Sequence, residues 1–97
     1  MAYESIKELR LQRGMTQTQL ADKSGVQTGE TISMIETGYR KATMRAFKRL
    51  ADALDVDVTD LILGQVLAIA GVAQKDRAEY LIGLMRAYNE AQPSVVG

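Results

Sequence analysis

Apolar residues recur along this chain three and four positions apart, with cap-forming residues between the runs; that is the spacing of amphipathic helices. The first run covers Tyr3 to Arg13, with Ile6 and Leu9 on its inner face and Gly14 as its stop. The second carries the clearest start signal. Thr16 stands three residues before Gln19, as in a capping box, and Met15 and Leu20 occupy the positions of a hydrophobic staple. This helix runs to about Ser24, where Gly25 ends it. A third begins near Thr28, carries Ile32 and Ile35, and stops at Gly38. A fourth starts near Thr43 and presents Phe47, Leu50, Ala51 and Leu54 as an apolar stripe. A short fifth is capped by Asp57 and stapled by Val56 and Leu61.

Five short helices with tight links therefore fill residues 3–63. After Gly64 the pattern weakens. Gln65 to Ala70 reads as one or two turns, and Asp76 to Ala91 as a further amphipathic helix with Leu81, Leu84, Met85 and Tyr88 on one face. The tail Gln92–Gly97 reads as frayed. No segment alternates as a strand does, and the single proline is Pro93. The pattern predicts an all-α protein, with one domain over residues 1–63 and a C-terminal helical extension over residues 64–97.

Composition narrows the chemistry more than it suggests a partner. At 97 residues the chain suits one domain. It is short enough that an oligomer or a very regular helical core is expected. Twelve basic residues balance twelve acidic ones, so the total charge carries no nucleic-acid signal. The absence of cysteine and histidine excludes disulfide staples and the usual structural zinc sites. Catalysis would fall to carboxylates, lysines or hydroxyls, and no catalytic residue, metal site or cofactor is assigned. Asp52, Asp55, Asp57 and Asp60 form the densest acidic cluster. Their spacing matches no cation loop, and they read as caps and solvated charges. No leader pattern is seen, and the apolar run Leu61 to Ala73 is interrupted by Gln65. It is too short for a span of about 20 residues, so the expectation is a soluble, cytoplasmic protein without a membrane partner.

Three features point to DNA. The second and third helices are joined through Gly25-Val26, a brief glycine-containing turn of the kind that sets two helices at a steep angle. Arg10 lies four residues after Ile6, and Glu36 four after Ile32, so each charge falls on an inward stripe. Burying a charge is costly unless it is paired. Either the two pair with each other and tie the third helix to the first, or both curl outward along their aliphatic stems. Finally, Thr37 to Ala51 contains five basic residues (Arg40, Lys41, Arg45, Lys48, Arg49) and no acidic one. The neutral total conceals a basic stretch directly after the third helix, where phosphate contacts are wanted if that helix lies in a groove; an ordinary solvated face is the other reading.

The stretches IKELRLQRGMTQTQLADKSGV, TISMIETGYRK and LADALDVDVTDLI, over about residues 5 to 63, resemble the Cro/CI-type helix-turn-helix, or xenobiotic-response-element, family of bacterial and phage regulators. The resemblance implies a five-helix lambda-repressor-like domain, here followed by a C-terminal amphipathic helix. It further implies a dimer on a palindromic operator with recognition helices about 34 Å apart, and usually repression or autoregulation. It assigns Arg10 and Glu36 to a salt bridge between the first and third helices. Gln17 falls at the helix start that faces phosphate.

Two departures stand out. The turn between Val26 and Ile32 is one residue longer than is usual in the family, so that Thr28 becomes the cap and Gln27 the added residue. The helix would then present Gly29, Glu30, Thr31, Ser33 and Met34 early on its exposed side, or begin one residue later if Gly29 takes a tight backbone. Ala42 stands where the family often has proline.

Base reading is expected from Gln27, Thr28, Glu30, Thr31 and Met34. Glu30 either accepts from a cytosine amino group or serves only the helix dipole, and Thr31 or Met34 touches a thymine methyl. Phosphate binding is expected from Gln17, Thr37, Arg40, Lys41 and Arg45. Leu81, Leu84, Met85 and Tyr88 form a stripe too apolar to leave wet. The stripe either packs back on its own domain or joins a twofold mate, the second being favoured. Docking a small antirepressor or toxin would use the same face, and an antitoxin or adaptor role is the alternative to a homodimeric regulator of double-stranded DNA.

Overall fold

The computed structural model describes residues 3–91, and the expectation of a frayed tail at 92–97 lies outside them. Among the described residues six α-helices follow one another: α1 Ile6–Gln12, α2 Gln17–Ser24, α3 Gly29–Thr37, α4 Met44–Leu54, α5 Val58–Ile69 and α6 Arg77–Ala91, the last entered through a 3-10 turn at Gln74–Asp76. No strand occurs among the described residues.

Local chemistry explains most of the boundaries. At α2, Thr16 Oγ1 accepts from the Gln19 N–H at 3.0 Å, and Gln19 Oε1 accepts from the Thr16 N–H at 2.8 Å. Two of the free amides at the helix start are thereby satisfied. Thr28 and Thr43 cap α3 and α4 through their hydroxyls, and Asp57 caps α5. Gly25 and Gly38 close α2 and α3 in the left-handed conformation at φ 78° and 81°, which costs glycine nothing sterically.

Two elements differ from the sequence expectation. Helix α1 starts at Ile6, not Tyr3, because Ser5 and Glu8 make a capping box of their own and Tyr3 sits at φ 62°, outside helical space. Helix α5 does not end at Leu63 but continues to Ile69. Gly64 lets the chain at Tyr3 and Glu4 lie directly against this helix, since a Cβ there would overlap the Glu4 carbonyl. Gln65, which interrupts the apolar run in sequence, is 3% exposed. Its Oε1 accepts from the Ile6 N–H at 3.0 Å, while its Nε2 donates to the carbonyls of Ile35 at 3.1 Å and Glu36 at 3.3 Å. One side chain thus satisfies the start of α1 and the end of α3 from the middle of α5.

The core is shared by α1 to α5. Ile6, Leu20, Ile32, Leu50, Leu54 and Leu61 are its largest fully buried side chains, each contributing roughly 1.5–3 kcal/mol through burial. The staple residues Met15 and Val56 pack against its edge. Helix α6 stands apart from this core: only Arg77 is buried and Leu81 half-buried. No helix among the described residues is long and apolar enough to cross a membrane, and no group of acidic residues there is placed to hold a metal ion.

Candidate nucleic-acid interface

Helix α3 is held in place from behind. Arg10 Nε donates to Glu36 Oε2 at 2.7 Å and Nη2 to Glu36 Oε1 at 3.2 Å, a two-pronged pair with side chains 8% and 2% exposed. The third guanidinium nitrogen, Nη1, donates to the Met15 carbonyl at 2.8 Å, so the buried cation reaches the chain between α1 and α2 as well. Gln17 Nε2 donates to Glu36 Oε1 at 3.1 Å. A single carboxylate on α3 therefore binds both α1 and α2. This satisfies the buried charges, the condition under which such a pair is tolerated, and it occupies the Gln17 amide.

The turn between α2 and α3 is set by close approach. Gly29 is the first residue of α3, after the Thr28 cap. A Cβ on it would stand 2.7 Å from Thr18 Oγ1 and 3.0 Å from the Thr18 backbone nitrogen. The glycine is needed for the contact between α2 and α3 rather than for a left-handed backbone, and the helix starts at Gly29, not one residue later.

On α3 the solvent face runs Glu30, Ser33, Met34 and Thr37, opposite Ile32 and Ile35; Glu30 and Thr37 are exposed, Ser33 and Met34 half-buried. Gln27 and Thr28 are exposed just before it. Thr31 is not on this face. It lies four residues before Ile35, shares its inward side, is 8% exposed, and holds its hydroxyl 3.1 Å from Thr28 Oγ1. Ser33, expected on the exposed side, keeps that place half-buried, whereas Gly29 is turned against Thr18. The Thr37 hydroxyl donates back to the Met34 carbonyl at 3.2 Å.

The basic stretch gathers beside the turn that precedes this face. Arg40, Lys41, Arg45 and Arg49 rim a recess of about 170 Å³ whose lining includes Val26, Gln27, Ile35 and Ala46. Arg49 Nη1 also donates to the Gly25 carbonyl at 3.3 Å, where a cation suits the negative end of α2. All four basic side chains are exposed, and they stand beside the turn that leads into α3. Leu84, Met85 and Tyr88 are 50%, 63% and 65% exposed and form one shallow apolar hollow with Leu81 and Asn89 on α6, remote from the reading face in sequence and unattached to the core.

A helix-turn-helix family model matches residues 6–61, more than half of the chain and the span from α1 into the first turn of α5. No curated protein and no solved structure matches the chain. The match covers both helices of the turn, the ion pair behind them and the basic stretch after them, and the chain belongs to the Cro/CI-type helix-turn-helix family of non-enzymatic, DNA-binding regulators.

Proposed function

We propose that the protein is a homodimeric transcriptional repressor that lays α3 in the major groove of a palindromic operator. The observation that carries this reading is the gathering of Arg40, Lys41, Arg45 and Arg49 around a recess lined by the α2–α3 turn, Gly25 to Gln27, directly before the exposed face of α3. Phosphate contacts position such a protein, and base-edge contacts specify its site. Gln27, Thr28, Glu30, Ser33 and Met34 read base edges. Glu30 accepts from a cytosine amino group and Met34 lies against a thymine methyl. Arg40, Lys41 and Arg45 hold phosphates, with Thr37 beside them. The Gln17 side chain is engaged by Glu36, so its phosphate contact comes from its backbone N–H at the first turn of α2.

The dimer is built by α6. Its face of Leu81, Leu84, Met85 and Tyr88 carries no charge, while Glu79, Arg86 and Glu90 lie on the other side of the helix. A neutral apolar stripe does not select a charged partner. It is complementary to another copy of itself, the arrangement an isologous twofold interface requires. An operator with two half-sites calls for the same symmetry.

Selection of bound DNA from a random pool, with footprinting and light scattering, tests the reading. A palindromic site protected by a dimer is the expected result. Failure to enrich any sequence at low salt would overturn it. A monomer that co-purifies with a protein bound through residues 76–91, and binds no operator, would establish the antitoxin or adaptor role instead.

A further inference from the structure

The root of α6 is tied to the reading domain mainly through Arg77. Arg77 is 4% exposed. Its Nε donates to the Val72 carbonyl at 3.0 Å, its Nη1 to the Tyr3 carbonyl at 2.9 Å and to Glu8 Oε1 at 2.6 Å, and its Nη2 to Glu8 Oε2 at 3.0 Å. Glu8 Oε1 at the same time accepts from the Ser5 N–H at 2.7 Å, so the carboxylate that starts α1 also receives Arg77. Gln74 Nε2 adds a bond to Glu4 Oε2 at 3.0 Å. Beyond Leu81 nothing else of α6 is buried.

A guanidinium fork on a carboxylate has a fixed plane, which a lysine ammonium does not impose. Here that plane, together with two backbone carbonyls, sets the direction in which the helix departs. The leverage is large. At 1.5 Å per residue the 15 residues of α6 span about 22 Å, and a swing of about 20° at the root moves the far end by about 8 Å. That exceeds two steps of about 3.4 Å along a DNA strand.

We propose that Arg77 is a positioning residue for operator reading: its fork on Glu8 and Tyr3 fixes the angle between α6 and the domain, and with it the separation of the two recognition helices. The inference rests on the α6-mediated dimer proposed above. The full chain is titrated with duplexes carrying two copies of the half-site recovered by pool selection, their spacing varied one base pair at a time. For the wild type, affinity falls about tenfold or more one base pair from the optimum, a difference of about 1.4 kcal/mol. Arg77→Ala flattens that profile to within about threefold. Its dimer mass by light scattering and its affinity for a single half-site stay unchanged, and Arg77→Lys falls between.

A profile as peaked in Arg77→Ala as in the wild type overturns the proposal. So does loss of the dimer, or an equal loss of single half-site binding, because either marks a structural role. Should Arg77→Ala unfold, Arg77→Lys carries the same comparison, and a wild-type profile from it overturns the proposal equally. A wild-type chain that is monomeric overturns the dimer reading itself, and light scattering on the wild type alone tells that failure apart.

Discussion

Gly29 lies directly against Thr18: a Cβ on Gly29 would stand 2.7 Å from Thr18 Oγ1 and 3.0 Å from its backbone nitrogen. Helices α2 and α3 thus meet almost backbone to backbone at the point where the recognition helix begins. Gly29→Ala should destabilise the domain by about 1–3 kcal/mol, the cost of overpacking. Adding Thr18→Ala should recover only part of this, since it removes the hydroxyl and leaves the backbone nitrogen. Urea denaturation of the two variants checks both statements. Gly83 is the control, because a Cβ there meets nothing within 4 Å. Gly83→Ala should stabilise α6 by about 0.5–1 kcal/mol.

The carboxylate of Glu36 holds Arg10 and Gln17 together. Glu36→Ala leaves the Arg10 guanidinium buried without its counter-charge. It should cost about 3–5 kcal/mol, measurable as a lowered denaturation midpoint. Replacing both partners by apolar residues, Arg10→Met with Glu36→Leu, should cost less than Glu36→Ala alone. An equal or larger loss would show that the pair acts through more than charge compensation.

Gln65 serves backbone groups of two other helices, at Ile6 and at Ile35 and Glu36. Gln65→Leu keeps the bulk and leaves these groups buried without partners. The expected cost is about 1–3 kcal/mol. Hydrogen exchange should show the loss first at the Ile6 amide. Unchanged protection there would mean that another group takes over.

Glu8 links the root of α6 to acid stability. Burial works to raise its pKa, but the hydrogen bonds from Arg77 and from the Ser5 amide, together with the Arg77 charge, outweigh it and hold the pKa below the usual 4.5. A carboxylate with a folded pKa below its unfolded one stabilises the fold above the unfolded value, and that contribution is lost as pH falls through the folded pKa. The stability difference between wild type and Glu8→Gln should be constant near neutral pH and shrink only below 4.5. Denaturation curves across that window decide it. A difference that grows on acidification would contradict the assignment.

The ring of cations should announce itself in salt dependence. Lys41 is exposed at the rim of the recess beside α3. Lys41→Ala should weaken binding to all sequences alike and reduce the slope of log affinity against log salt by about one unit. Glu30→Ala should instead alter preference at one base position. Parallel titrations on specific and random DNA distinguish the two, and an unchanged slope would remove Lys41 from the phosphate contacts.

The starts of α2, α3, α4 and α5 were legible because a cap is a local event: Thr16, Thr28, Thr43 and Asp57 bond to amides two or three residues away. The Ser5 and Glu8 box at α1 carries the same signal and was available to be read. The inward charges were legible for a different reason. Arg10 and Glu36 violate the apolar period of their helices, and burial leaves few ways to accommodate them. Thr31 carried the same periodic signal, four residues before the inward Ile35, but threonine suits either face and the signal was masked. Arg77 gave no signal, and Gln65 only that it breaks an apolar run, since the role of each shows when its partners, separated from it by 69 and 59 positions, are brought beside it.

By itself the sequence determined the helix count within the reading domain, the caps, the apolar faces and the family pattern, all of which follow from residues within a few turns of one another. Only the tertiary structure decided the length of α5, the need for glycine at position 29 and the anchoring of α6 by Arg77. Each of these depends on a contact with another element: Gln65 with Ile6 and Glu36, Gly29 with Thr18, and Arg77 with Glu8. Short-range periodicity records which side of a helix is buried and carries no record of what it is buried against.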